Sequence, residues 1–300
     1  MIRRLLLPFA IVSCATPTGH DATPSGPPPT LAASVTGEAS AAPVAELTPF
    51  PPSPLSSAAG APSSSAAAPP KLAPLAGAGE LVPLVVPDHR DAMVSIPLGA
   101  TDSRPVVLAL HGNYDRPEWQ CGVWREVTKG YPFIVCPRGV PRRDAPPSQD
   151  RWTYGKPADV RREVDAALSA LRVRFGDYVA PGPIVYAGFS LGAILGVGIV
   201  AGDADRFPRA VLIEGGLSAW SQARAKAYAD AGGKRVLFAC GQRSCKAESK
   251  GPEKLLGRLG VETRSVYGGE VGHTYDGPVA DEIARTLPWL VSDDPRWSLP

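Results

Sequence analysis

From residue 80 onward, short apolar runs alternate with stretches of helical spacing, and this alternation narrows the available folds more than any other feature of the chain. The runs are ELVPLVV (80–86), AMVSIPL (92–98), PVVLAL (105–110), FIVC (133–136), PIVYAG (183–188), AVLIEGG (210–216), RVLFACG (235–241) and ETRSVYGG (262–269). Most are continuously apolar and bounded by Gly or Pro, the pattern of strands buried on both faces. Between them the spacing predicts helices over 118–129, 159–176, 191–202, 218–231, 249–259 and 279–290. The second carries Val160, Val164, Leu168, Leu171 and Phe175 on one stripe and ends at Gly176. The third, LGAILGVGIVAG, is apolar nearly all round and reads as a buried helix. Strands alternating with helices predict an α/β fold, a mostly parallel sheet of about eight strands with helices on both faces. The first two runs read as a hairpin at its start.

The rest of the chain divides by composition. Residues 15–79 are almost entirely Ala, Pro, Ser, Thr and Gly, with charges only at Asp21, Glu38, Glu46 and Lys71. So little bulky apolar surface cannot offset the entropy of ordering a backbone, so this stretch reads as a disordered, Pro-rich spacer. Residues 1–14 form a third unit: MIRR is a positive n-region, and LLLPFAIV is too short to span a bilayer. The following IVSC resembles a bacterial lipobox, which makes Cys14 the expected lipid anchor. Ala15 follows where a lipoprotein kept at the inner membrane of enterobacteria would carry Asp, so the outer membrane or cell surface is favoured. The expected organisation is a signal peptide (1–14), a spacer (15–79) and one domain (80–300). The expected location is the bacterial cell envelope, with the lipid as the sole membrane contact. A net charge of +2 gives no basic patch to suggest nucleic acid.

Export also bears on the cysteines. Apart from Cys14 there are four, Cys121, Cys136, Cys240 and Cys245, an even number suited to an oxidising compartment. Placement favours Cys121–Cys136, both at the carboxyl edge of the sheet, and Cys240–Cys245, which closes the turn after the seventh run. A metal site or free buried thiols are the alternatives. No zinc-finger spacing supports the metal.

Within this frame the pentapeptide GFSLG (188–192) acquires meaning. With 31 glycines in 300 residues, Gly-x-Ser-x-Gly arises by chance about 0.2 times in such a chain. Here Ser190 ends an apolar strand and begins a buried helix, as a nucleophile elbow requires. On this motif, on LALHG (108–112) and on the strand order, residues 80–300 resemble the α/β-hydrolase superfamily. The resemblance implies a serine hydrolase with Ser190 as nucleophile and His273, in GEVGHTYDG, as general base. It implies an oxyanion hole from the N–H groups of Leu191 and of Asn113, with Gly112 or Tyr114 close alternatives. His111 reads as a packing and turn residue. In most of the superfamily an Asp follows the seventh strand, but FACGQRSC has Ser244 and Cys245 there. Glu214, after the sixth strand, is the expected acid; Glu248 is the alternative, and a Ser-His dyad without a third member stays open.

Tyr114, Trp119, Trp152 and Tyr154 are expected around the site, as an acyl or aryl wall or as a hydrophobic plug. With one helix between the sixth and seventh strands, no large cap is expected. The expected activity is hydrolysis of carboxylic esters, small or polymer-borne, with no cofactor and no metal, as in lidless carboxylesterases, acyl-protein thioesterases or feruloyl esterases. The alternatives are a serine exopeptidase of the same fold and a non-catalytic binding lipoprotein derived from it.

Overall fold

The computed structural model describes residues 71–298. Cys14, the lipobox reading and most of the expected spacer lie outside the described residues. The last nine residues of that spacer, 71–79, are joined to the domain. Leu72 and Leu75 N–H donate to Thr101 and Ala100 carbonyls at 2.8 and 2.9 Å, and Leu75 is buried.

Among the described residues, ten strands and seven α-helices run in the order β1 (Leu81–Leu84), β2 (Ala92–Ser95), β3 (Val106–Leu110), α1 (Pro117–Val127), β4 (Phe133–Cys136), β5 (Val140–Pro141), β6 (Trp152–Thr153), α2 (Pro157–Phe175), β7 (Val185–Phe189), α3 (Leu191–Ala201), β8 (Arg209–Ile213), α4 (Gln222–Asp230), β9 (Arg235–Cys240), α5 (Arg243–Glu248), α6 (Lys250–Gly257), β10 (Glu262–Tyr267) and α7 (Gly277–Val291). Eight strands make one sheet in the order β1-β2-β4-β3-β7-β8-β9-β10. Pairings β1–β2 and β2–β4 are antiparallel, and all later ones are parallel.

Period-two alternation sends neighbouring side chains to opposite faces. On β8, Ala210 and Leu212 join the core under α2, α3, α4 and α6, whereas Val211 and Ile213 join the core under α1 and α7. Both faces of β3, β7, β8 and β9 are thereby buried, which is why these segments read as unbroken apolar runs. On α3, Ala193, Val197 and Val200 are buried while Ile194 reaches solvent.

The structure departs from expectation in two places. Residues 243–248 form a separate short helix, α5, joined at Ser249 to α6. Residues 140–153 form a small hairpin, β5–β6, whose Trp152 bridges Asp115 in the loop after β3. Both follow strands whose carboxyl ends point to the same edge, so both border that edge. Among the described residues no helix is long and apolar enough to cross a membrane.

Candidate active site

Ser190 is the single residue between β7 and α3. Its backbone has φ 50° and ψ −110°, a conformation unusual for any residue with a Cβ and costing on the order of 1–3 kcal/mol. Two glycines permit the turn. A Cβ on Gly188 would lie 2.6 Å from the Gly192 carbonyl oxygen, and one on Gly192 would run into the Leu110 carbonyl at the end of β3. Ser190 N–H donates to the Ile213 carbonyl at 2.9 Å, which fixes the turn against the end of β8.

The first residue after β8 is Glu214, also at positive φ (49°). Its carboxylate is buried and held from two sides. Oε1 accepts from Gly241 N–H at 2.5 Å and from Gln242 N–H at 3.0 Å. Oε2 lies 3.2 Å from His273 Nδ1. The side chain of Glu214 is 2% exposed and that of His273 47% exposed. The imidazole thus has one nitrogen on a fixed carboxylate while the ring reaches solvent, and its flank packs on Phe189 at 4.9 Å between centroids. Glu248, the alternative acid, ends α5 and makes no bond to His273. Glu270 bonds Tyr267 and Arg243, and Asp276 bonds Thr274, so neither neighbour of His273 in sequence engages its ring.

The three residues of the loop after β3 expected as oxyanion donors differ in the partners of their N–H groups. Gly112 N–H donates to Asp115 Oδ2 at 3.1 Å, and Tyr114 N–H donates to the Trp152 carbonyl at 2.9 Å. Among the described residues Asn113 N–H has no partner, and neither does Leu191 N–H in the first turn of α3, where helical amides are left free. The loop lies against the elbow, since a Cβ on Gly112 would be 3.4 Å from Ser190 Cβ. His111 is fully buried. Its ring nitrogens sit 2.7 Å from the Gly112 carbonyl and 3.0 Å from the Arg138 carbonyl, and the ring stacks on Tyr154. Tyr154, expected on the rim, is therefore beneath it: its hydroxyl accepts from His111 N–H and donates to the Pro137 carbonyl. Tyr114 and Trp119 are exposed as expected.

Both disulfides join the expected cysteines, with Cα separations of 6.0 Å for Cys121–Cys136 and 5.6 Å for Cys240–Cys245. The first ties α1 to β4. The second closes the loop that contains Gly241 and Gln242, whose N–H groups hold Glu214.

Comparison of the sequence with protein-family models and with curated proteins finds no match. Solved structures do match in shape. An uncharacterised protein from Bacillus cereus superposes with a TM-score of 0.53 at 11% identity, over 66% of this chain and 62% of that one. The chain thus spans less than two thirds of that protein's length. Esterase PE8 gives a TM-score of 0.51 at 16% identity, over 70% of this chain and all of that one. Est1E from Butyrivibrio proteoclasticus gives 0.50 at 12% identity, over 71% of this chain and all of that one. The fold is that of the α/β-hydrolases.

Within this α/β-hydrolase sheet, Ser190, Glu214 and His273 gather at the carboxyl ends of β7, β8 and β10. Sequence reasoning missed the supports around them. Asp115 is 6% exposed. It accepts from Gly112 and Arg116 N–H, the latter at 2.8 Å, and from the Tyr275 hydroxyl at 3.2 Å. It thereby links the loop after β3 to the loop of His273. Burial, together with the adjacent Asp115 charge, pushes the Tyr275 phenol well above its ordinary range, so it stays a donor. Arg142, on the hairpin, donates to Asn113 Oδ1 at 2.8 Å and pairs with Asp144. HGNYDRP carries no signal for Asp115, because an Asx turn reaches the N–H two residues on, whereas Asp115 accepts from Gly112, three residues back. Nothing local signals Tyr275.

A cleft of about 250 Å³ adjoins His273, lined by Glu214, Gly215, Ser218, Gln242, Ser244 and Glu248. A larger apolar groove, about 750 Å³, lies between the end of β1 and α2 and includes none of the site residues.

Proposed function

We propose that the chain is a serine hydrolase that cleaves carboxylic esters through an acyl-enzyme. The observation that carries this is the Glu214 carboxylate. It is buried, pinned by two N–H donors and set on Nδ1 of a His whose ring reaches solvent, at the sheet edge that holds a strained Ser190. A buried carboxylate in that position keeps the Nδ1 proton in place and stabilises the imidazolium. His273 Nε2 takes the Ser190 Oγ proton as the oxygen attacks the ester carbonyl. The Asn113 and Leu191 N–H groups receive the oxyanion. His273 then protonates the departing alcohol. A water, deprotonated by the same nitrogen, releases the acid and restores Ser190.

Fold likeness at these identities carries no activity across. The local geometry supports turnover over the binding-lipoprotein alternative, because backbone strain at Ser190 is a cost with no evident structural return. The test is steady-state hydrolysis of p-nitrophenyl esters. Activity in the parent and its loss in Ser190→Ala support the reading, and equal rates in both proteins contradict it. We further propose that Cys14 anchors the enzyme by lipid in the cell envelope, with the spacer setting its reach.

A further inference from the structure

The 250 Å³ cleft beside His273 continues past Glu248 into a second groove of about 380 Å³, and the two share Leu217, Ser218 and Glu248. The sections differ in chemistry. Nearest His273 the walls are polar, with Ser218, Ser244, Gln242 and Glu248. Beyond Glu248 they are apolar, with Leu217, Trp220, Pro252 and Leu255.

Two groups there are left without partners. Glu248 is exposed to the cleft and makes no hydrogen bond or ion pair among the described residues. Neighbouring cations are engaged elsewhere: Lys246 donates to the Ser265 carbonyl, Arg243 pairs with Glu270, and Lys250 pairs with Glu253. No Lys or Arg lines either section. Trp220, 6% exposed, lines the apolar section, and its buried Nε1 has no acceptor. A buried indole N–H normally finds a partner.

We infer that this bipartite cleft binds a substrate with a protonated amine close to the scissile carbonyl and an apolar group beyond it, the ammonium resting on Glu248. The inference rests on the ester-hydrolase reading for which carbonyl is scissile. It assigns Glu248, which makes no bond to His273 among the described residues, a binding role in the cleft that His273 also lines. A cleft whose walls carry the Glu248 carboxylate and no Lys or Arg favours a cationic group over an anion, and an apolar extension favours a hydrocarbon side chain over a sugar or a phosphate. A hydrophobic amino-acid ester has both groups in this order.

Two ligand pairs that differ only in the α-ammonium group provide the test. Leucinamide and 4-methylpentanamide are titrated calorimetrically into the Ser190→Ala chain, which needs no turnover. Leucine ethyl ester and ethyl 4-methylpentanoate are compared as substrates of the parent. The expected preference for the amine-bearing member is on the order of five- to tenfold in Kd and in kcat/KM, the scale of a part-exposed charge-assisted contact. That ratio should fall toward one in Glu248→Gln, and it should weaken in high salt. Equal affinities, undetectable leucinamide binding or a ratio unchanged by Glu248→Gln would overturn the inference. Cleavage of the neutral ester without amine preference would sink this inference alone. Amine preference in binding with neither ester cleaved would leave the ammonium site on Glu248 standing and remove the hydrolase reading.

Discussion

Glu214→Gln separates the role of the carboxylate's charge from that of its shape. In the parent, Oε1 faces two N–H donors, Gly241 and Gln242, and Oε2 faces His273 Nδ1. A glutamine must keep its carbonyl oxygen on the two amides, because the flipped amide would bury an NH₂ group against two N–H donors. Its NH₂ group then faces Nδ1, which can pair with it only as an acceptor. The ring proton moves to Nε2, the nitrogen that must take the proton from Ser190. The variant thus holds the wrong tautomer and lacks the charge that stabilises the imidazolium. The expected fall in kcat is about 10²–10⁴, with KM nearly unchanged. Stability should change little, since both amide bonds survive as neutral ones. A loss of about 1 kcal/mol corresponds to a Tm about 2–4 °C lower for a domain this size. Glu214→Ala would be a poor probe, because two N–H groups would lose their acceptor, the buried one of Gly241 at about 1–3 kcal/mol. Steady-state kinetics on a p-nitrophenyl ester, with a melting curve of the same sample, measures both quantities. A well-folded Glu214→Gln protein within about threefold of the parent kcat would refute the tautomer argument.

Tyr275→Phe removes the hydroxyl that joins the His273 loop to Asp115. The expected effect is about a three- to tenfold loss in kcat with little change in KM, and a lowered Tm with kcat intact would make the link structural only. Asp293 accepts from Arg209 and Lys234 at 2.6 and 2.7 Å. Burial raises its pKa, but bonds from Arg209 and Lys234 and the Arg209 and Arg235 charges outweigh it and hold the carboxyl well below the ordinary range. A pKa lowered on folding stabilises the fold above the unfolded value of about 3.9, and that stability is lost as pH falls below about 4. Asp293→Asn should therefore melt a few degrees lower at neutral pH, and the gap should close in acid; a gap independent of pH would contradict this. Cys14→Ser should shift the protein from the membrane to the soluble fraction, since lipid is the anchor proposed, and unchanged fractionation would remove it.

How much of this was legible in the sequence follows from range. The eight strands of the sheet were all readable: the inner ones because strands buried on both faces must be apolar throughout, and the part-exposed edge strands β1 and β10 because turn residues bound them. The elbow was readable for the same reason, since Gly188, Ser190 and Gly192 straddle a strand end and a helix start. The hairpin β5–β6 was not, because its strands are two residues each and carry no period. Tyr154 was misplaced on the rim because its burial depends on His111, 43 positions away. The departure after β9, where the sequence has Ser244 and Cys245, pointed toward Glu214 but could not place it. Its bond to His273 spans 59 positions, and the Asp115–Tyr275 link spans 160. Contacts of that reach are set by sheet order and loop path, which local pattern does not encode.

The central claim is that Ser190 is an activated nucleophile. Treatment of the folded protein with a fluorophosphonate, followed by mass mapping of the labelled peptide, tests it most directly. A single adduct on Ser190, abolished in Ser190→Ala and slowed in Glu214→Gln, is the result the geometry predicts. No adduct on Ser190 in the folded parent, or labelling undiminished in Ser190→Ala, would contradict it.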